Sequence, residues 1–239
     1  MSLLDAEDLA ENNATRVPVV FCLDTSGSMQ GNKIKKLNAA VKDFYEALLD
    51  DRRAKYAADV CVITFDNAVA IYRDFENVSH NNIPQVDFTP RGATELGKGV
   101  KRSLDCLEDR VETYKSNGLQ CQPPMLIIMT DGVPNEADPN STASAASRTI
   151  ALERSGDLVV IPFFVGDARD DSAVSIVGSF SNVNSALSVK PNELSKLFKW
   201  ISSKVVASSH AAPGSGPEIR IQDYLDGMIG QSGIDGLFK

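Results

Sequence analysis

Residues 17–29 read VPVVFCLDTSGSM, an apolar run from Val17 to Leu23 that stops at Asp24-Thr25-Ser26-Gly27-Ser28-Met29. A short, unbroken apolar run bounded by turn residues is the pattern of a strand buried on both faces. From Lys33 onward, Ile34, Leu37, Val41, Phe44, Tyr45 and Leu48 return at steps of three and four, which places them on one face of a helix. A buried strand, a polar loop and an amphipathic helix in succession form the opening unit of a sheet whose strands are joined by helices.

The same alternation continues outward from that unit. Ala58–Phe65 (ADVCVITF) and Ala68–Phe75 (AVAIYRDF) are strand-like and separated by Asp66-Asn67, a connection that suits a tight hairpin and makes the second strand antiparallel. Leu96, Val100, Leu104, Leu107, Val111 and Tyr114 mark a second helix, ended by Asn117-Gly118. Met125–Met129 (MLIIM) is the next strand, followed by a short helix over Ala143–Arg154 and a strand over Leu158–Val165. Ser172–Ser179 reads as a helix, Val183–Leu187 as a short edge strand, and Pro191–Val206 as a closing helix with proline at its start. The sequence therefore predicts an α/β fold with a doubly wound, mostly parallel open sheet and one antiparallel edge strand. That domain covers 14–206, preceded by an acidic N-terminal segment, 1–13, and followed by a linker, 207–217, and a tail, 218–239.

Composition narrows the function. The chain has 239 residues, 43% of them apolar and 23% charged, enough for a packed core. Its net charge of −8 opposes the phosphate neutralisation on which nucleic-acid binding depends, and disfavours anionic membrane surfaces. No apolar run approaches the roughly 18 residues of a membrane span. Met1–Asn13 lacks the basic-then-apolar pattern of a signal peptide, so the expected location is the cytoplasm. Cys22, Cys61, Cys106 and Cys121 contain no CxxC pair and read as reduced thiols. With only His80 and His210, a histidine zinc site or a Ser-His-Asp triad lacks material.

In open α/β sheets the ligand site lies beyond the carboxyl ends of the strands, where strand order reverses. Three polar clusters fall there: Asp24 to Met29, Arg91-Gly92-Ala93-Thr94, and Thr130-Asp131-Gly132. Each has a simple structural reading. Asp24 and Ser26 can cap the following helix, Thr94 can cap the next, and Asp131 can close an Asx turn; Asp66 reads as a hairpin turn residue.

Taken together, these residues resemble the von Willebrand factor A (VWA) family, whose metal-ion-dependent adhesion site is written Asp-x-Ser-x-Ser, then a distant Thr, then Asp. Asp24, Ser26 and Ser28 in DTSGSM, Thr94 in RGATELG and Asp131 in MTDGVPN match all five positions, over roughly Pro18 to Val206. The resemblance implies a Rossmann-like VWA fold and a metal held by these five residues, which captures an acidic side chain of a partner protein. All five are hard oxygen donors, which suits Mg²⁺ first, with Mn²⁺ or Ca²⁺ as alternatives, and disfavours zinc or copper. Gln30, Arg91, Glu95, Asn135 and Glu136 neighbour the motif and are candidates for a partner-binding rim. Within the family the chain is most similar to intracellular bacterial proteins of tellurite and stress resistance, some encoded beside a kinase and a phosphatase. A subunit acting with an AAA+ ATPase in metal insertion or remodelling is the alternative.

Enzyme readings fare less well. A haloacid-dehalogenase-like phosphatase needs a second Asp two residues after the first, and Ser26 stands there. Residues Gly27 to Lys33 fail the glycine spacing and the Lys-Ser/Thr ending of a phosphate loop. No GxSxG surrounds Ser26 or Ser28. A binding module, not an enzyme, is expected. In the tail, Gly227, Gly230, Gly233 and Gly236 are too dense for a stable helix, while Ile219, Ile221, Tyr224 and Leu225 are apolar. That composition favours a segment docking on a partner or on its own domain over a disordered end.

Overall fold

The computed structural model describes residues 12–80 and 83–227. Residues 1–11, and with them most of the acidic N-terminal segment, lie outside the described residues, as do 228–239 with the last three tail glycines. The chain runs β1 (Val17–Asp24), α1 (Asn32–Leu49), α2 (Ala54–Ala57), β2 (Ala58–Phe65), β3 (Val69–Asn77), α3 (Leu96–Ser116) and β4 (Met125–Thr130). It continues through α4 (Ser141–Ser155), β5 (Val159–Val165), α5 (Asp171–Gly178), β6 (Leu187–Val189) and α6 (Leu194–His210).

The six strands form one sheet in the order β3-β2-β1-β4-β5-β6, parallel except for β3, which runs antiparallel to β2 at the edge. Strand order reverses between β1 and β4, so their carboxyl ends open a crevice on one edge of the molecule. The unbroken apolar run of β1 follows from this position. Val17, Val19, Phe21 and Leu23 face a core shared with α1 and α6, while Val20 and Cys22 face a second core beneath α3, α4 and α5. Phe21 stacks on Phe198 with ring centroids 5.1 Å apart and meets Phe44 edge-on at 4.8 Å. Each such buried side chain contributes about 1.5–3 kcal/mol.

Two expected elements differ. Val183–Leu187 is not a strand, because Glu153 claims its surroundings: the Glu153 carboxylate accepts from Ser181 Oγ (2.8 Å) and the Asn182 N–H (2.9 Å), which bends the chain and leaves Val183 exposed. The edge strand forms only from Leu187, paired with Phe163. The hairpin takes Asp66, Asn67 and Ala68, with β3 starting at Val69 and two register shifts against β2. The turn α2 lacked a periodic signal. Helix α6 runs on to His210, past the expected end at Val206, and the Gln122 amide donates to the carbonyls of Ser208 (3.2 Å) and Ala212 (3.0 Å) behind it. Beyond, residues 221–227 are helical, and Ile219, Ile221 and Tyr224 are buried in the core that contains α1 and α6. Asn184 fixes this segment by donating to the Ile219 carbonyl (3.2 Å) and accepting from the Ile221 N–H (2.8 Å).

Candidate metal centre

Asp24 ends β1 and Thr130 ends β4, on the two sides of the crevice. Asp24 is fully buried, and both carboxylate oxygens are held: Oδ1 accepts the Ser26 N–H at 2.8 Å and Oδ2 accepts the Thr130 hydroxyl at 2.7 Å. Burial pushes the Asp24 carboxyl up to about 6, and the nearby Asp131 charge adds to that, against the lowering effect of the Ser26 and Thr130 hydrogen bonds. The chain then turns so that Ser26 and Ser28 face each other, Oγ to Oγ, at 3.0 Å. Ser28 Oγ donates in turn to Asp131 Oδ1 at 2.6 Å.

The loop that carries Thr94 is tied to the Asp24–Met29 loop because three loops are stitched together. The Thr25 N–H donates to the Phe65 carbonyl (2.9 Å), the Arg91 N–H to the Thr25 carbonyl (2.9 Å), and the Gly27 N–H to the Gly92 carbonyl (3.1 Å). Gly92 has φ of +69°, a conformation strained for any other residue, and a Cβ there would also push aside the Asn67 side chain, 2.1 Å away. From the other side, Asn135 accepts the Thr94 N–H (2.5 Å) and returns its own N–H to the Thr94 carbonyl (3.2 Å). Thr94 is buried, and its hydroxyl makes no hydrogen bond to another described residue.

The capping alternatives do not hold in this geometry. The N-cap of α1 is Gly31 and that of α3 is Glu95, neither of which bonds its helix start through a side chain, and the first-turn Gly97 N–H of α3 is taken by Glu136 rather than by Thr94. Asp24, Ser26 and Thr94 are thus held at the crevice for another reason. Asp66 does close its turn, accepting the Ala68 N–H (2.9 Å), and it also takes Arg91 Nε at 2.8 Å. Of the five rim residues, Gln30, Arg91 and Asn135 are exposed. Glu95 instead turns inward, accepting the Ala137 N–H (3.2 Å) and pairing with Lys98 (3.1 Å). Glu136 is occupied by the start of α4, accepting the N–H (3.1 Å) and hydroxyl (2.9 Å) of Thr142 and the Gly97 N–H. These two acids brace the loops; polar type near a motif does not tell which way a side chain points.

The donor chemistry fits a divalent cation. Ligand oxygens at about 2.1 Å in an octahedron lie about 3.0 Å apart along its edges. The Ser26–Ser28 and Ser28–Asp131 separations, 3.0 and 2.6 Å, are of that size. Among the described residues no three His, Cys, Asp or Glu side chains gather as a metal site; the set is two carboxylates completed by hydroxyls. Sequence reasoning missed Lys33, whose ammonium lies 2.6 Å from Asp131 Oδ2. A signal was present. A lysine in the first turn of a helix, where no acid offsets the positive end of the helix dipole, needs a carboxylate from elsewhere.

A family model for the von Willebrand factor type A domain matches residues 19–199. The chain belongs to that family. Its fold is similar to a von Willebrand factor type A structure from Catenulispora acidiphila, at 16% identity and a TM-score of 0.60, over 81% of this chain and 43% of that one. It is similar to the vWF domain of the type V pili tip protein Mfa5 from Porphyromonas gingivalis, at 12% identity and 0.60, over 84% of this chain and 99% of that one. It also resembles proximal thread matrix protein 1 from the mussel byssus, solved with a zinc-occupied MIDAS motif, at 18% identity and 0.52, over 82% of this chain and 49% of that one. The chain thus spans less than half of two of these three structures. No curated protein sequence matches it. VWA domains are generally interaction or adhesion modules. The zinc in the mussel protein also shows that a MIDAS accepts a borderline ion, in line with the general ordering of divalent affinities; hard oxygen donors do not exclude it.

Proposed function

We propose that this VWA domain holds a divalent cation, Mg²⁺ in the cell, through Ser26, Ser28 and Thr94 with Asp24 and Asp131 in direct or water-mediated contact, and that it captures an acidic side chain of a partner protein there. The observation that carries this reading is the chain of oxygens Ser26–Ser28–Asp131 beside the fully buried Asp24, at a crevice where none of these side chains caps a helix. A bound cation would supply positive charge and an exchangeable coordination position for an external oxygen. The chain's own residues do the rest. Thr130 orients Asp24, the Gly27–Gly92 bond sets the distance to the Thr94 loop, and Arg91, 75% exposed and held by Asp66, presents a free guanidinium edge to an anionic partner. Lys33, Lys35 and Lys36 add positive charge at the start of α1. We read the role as binding and not catalysis: His210 pairs with Asp51 past the far end of α1, so it cannot activate Ser26 or Ser28.

With this goes a cytoplasmic setting in bacterial stress response or signalling, of the tellurite-resistance type, supported by the motif resemblance and by Cys22, Cys61 and Cys106, free thiols that are buried. Calorimetric titration of the full chain with Mg²⁺, Mn²⁺ and Ca²⁺ tests the site. Binding of at least one ion is expected, and at a hundred times its dissociation constant the ion stabilises the fold by about 2.7 kcal/mol. Thr94→Ala and Asp24→Ala weaken that binding by tenfold or more. Water-proton relaxation of the Mn²⁺ form falls when an acidic peptide is added and a carboxylate displaces water. Equal ion binding by parent, Thr94→Ala and Asp24→Ala would refute the proposal.

A further inference from the structure

Asp131 is the one acid of the site with a full positive charge against it. Its carboxylate has no exposed surface; Oδ1 accepts Ser28 Oγ at 2.6 Å and Oδ2 accepts Lys33 Nζ at 2.6 Å. The Lys33 side chain is 24% exposed, so its ammonium sits at the mouth of the crevice and not within the core. It rises from the first turn of α1, where Gly31 offers no side-chain cap and no acidic residue is present. Nothing on its own helix therefore holds the lysine; Asp131, 98 residues away in sequence, does. Asp24, by contrast, is held among the described residues by neutral donors, the Ser26 N–H and the Thr130 hydroxyl.

We propose that Lys33 is a built-in competitor for the metal centre: its ammonium neutralises Asp131 while no cation is bound, and it gives up that carboxylate when a divalent ion takes it. This rests on the metal reading above and adds to it a residue that sets ion affinity and partner choice. Two cations cannot share one carboxylate at contact distance without strong repulsion, and a partly buried site screens that repulsion little. The lysine therefore lowers affinity for any divalent ion and keeps the metal-free carboxylate pair from repelling itself apart. Once displaced, the ammonium remains beside the ion. Two carboxylates, one divalent cation and one ammonium sum to a net charge of +1, so the loaded site is cationic and selects an anionic partner group over a neutral one.

The test uses the full chain, Lys33→Met, which keeps the length of the side chain without the charge, and Lys33→Arg, which keeps the charge. Lys33→Met binds Mn²⁺ about tenfold more tightly or better by calorimetry, because one unit of like charge at contact distance has gone. Lys33→Arg stays near the parent. In EDTA, Lys33→Met unfolds at a lower temperature than the parent, and saturating Mg²⁺ closes that gap. A second measurement needs no variant: in ¹⁵N-labelled parent protein, the Lys33 ammonium held by Asp131 gives a slowly exchanging resonance in EDTA that disappears or shifts on saturation with Mg²⁺. Ion binding by Lys33→Met equal to or weaker than the parent's overturns the proposal, as does an ammonium resonance unchanged by bound Mg²⁺. A parent that binds no divalent ion overturns the metal reading itself.

Discussion

Gly97 lies in the first turn of α3, just after Thr94, and a Cβ at this position would lie 2.3 Å from the Thr142 backbone nitrogen and 2.4 Å from the Ser141 carbonyl carbon. Ordinary contact begins at 3.4 Å, so Gly97→Ala forces the start of α3 and the start of α4 apart by about 1 Å. The obstacle is backbone, which cannot rotate aside as a side chain can. Glu136 makes the strain worse, since it bonds both the Gly97 N–H and the Thr142 N–H and so ties together the two segments that must separate. Overpacking costs about 1–3 kcal/mol, and with fixed backbone on one side the upper end applies. For a domain of this size about 3 kcal/mol lowers Tm by roughly 6–12 °C. The same displacement carries Thr94 away from Ser26 and Ser28, so ion affinity falls along with stability. Thermal unfolding in EDTA and calorimetric titration with Mn²⁺ read the two effects separately. Gly132→Ala is the control, with nothing within 4 Å of its Cβ although it adjoins Asp131. A Gly97→Ala protein that unfolds within a degree of the parent and binds Mn²⁺ equally well would refute the claim that this helix contact positions Thr94.

Two further outcomes concern the rest of the fold. Arg110→Met leaves Asp59, fully buried, without the guanidinium 2.7 Å away, and chemical denaturation should show a loss of about 3–5 kcal/mol. Tyr224→Ala removes a buried ring that meets Trp200 at 5.6 Å and should cost about 3 kcal/mol. Tyr224→Phe should leave stability level or raise it, because the hydroxyl is buried without a partner; a large loss on Tyr224→Phe would show a hydrogen bond that this geometry lacks.

The parts of the fold legible in the sequence are those whose signal is local. The runs at β1, β2, β4 and β5 are apolar because both faces of each are covered, and periodicity marks α1, α3 and α6. The placement of Asp24, Ser26, Ser28 and Asp131 was legible for a related reason: in a parallel sheet, a polar stretch directly after a buried run emerges at the carboxyl edge, whereas Thr94, beyond the antiparallel β3 and a long loop, was marked only by the motif resemblance. What escaped depended on distant chain. The stretch at 183–187 is apolar enough for a strand, but Glu153 reorganises it from α4. Glu95 and Glu136 sit among motif residues yet turn inward to backbone N–H groups that no spacing rule predicts. The stretch Ser208–Pro217 has linker composition, but Gln122 fastens its first carbonyls and Asn184 fastens the segment that follows.

The two ends of the sheet show why one buried acid holds the structure together and another is open to a ligand. Asp59, near the start of β2, is surrounded by donors on every side: Arg110 at 2.7 Å, the Tyr114 hydroxyl at 2.5 Å, the Asn77 amide at 2.7 Å, and Arg16 at 3.8 Å. Two guanidiniums face one carboxylate there, and three hydrogen bonds hold its oxygens, so its charge is already balanced from within the fold. At the other end, Asp24 and Asp131 bring two carboxylates to one crevice, and among the described residues the only cation in contact is the partly exposed Lys33 ammonium. The remaining neighbours are hydroxyls, which can donate a proton to a carboxylate or turn a lone pair toward a metal without leaving their rotamers. Each end therefore answers to charge balance. Where arginines from α3 and from the segment before β1 cover the acid, the site is closed; where only serines, a threonine and a releasable lysine do, the negative charge remaining is what draws a divalent ion.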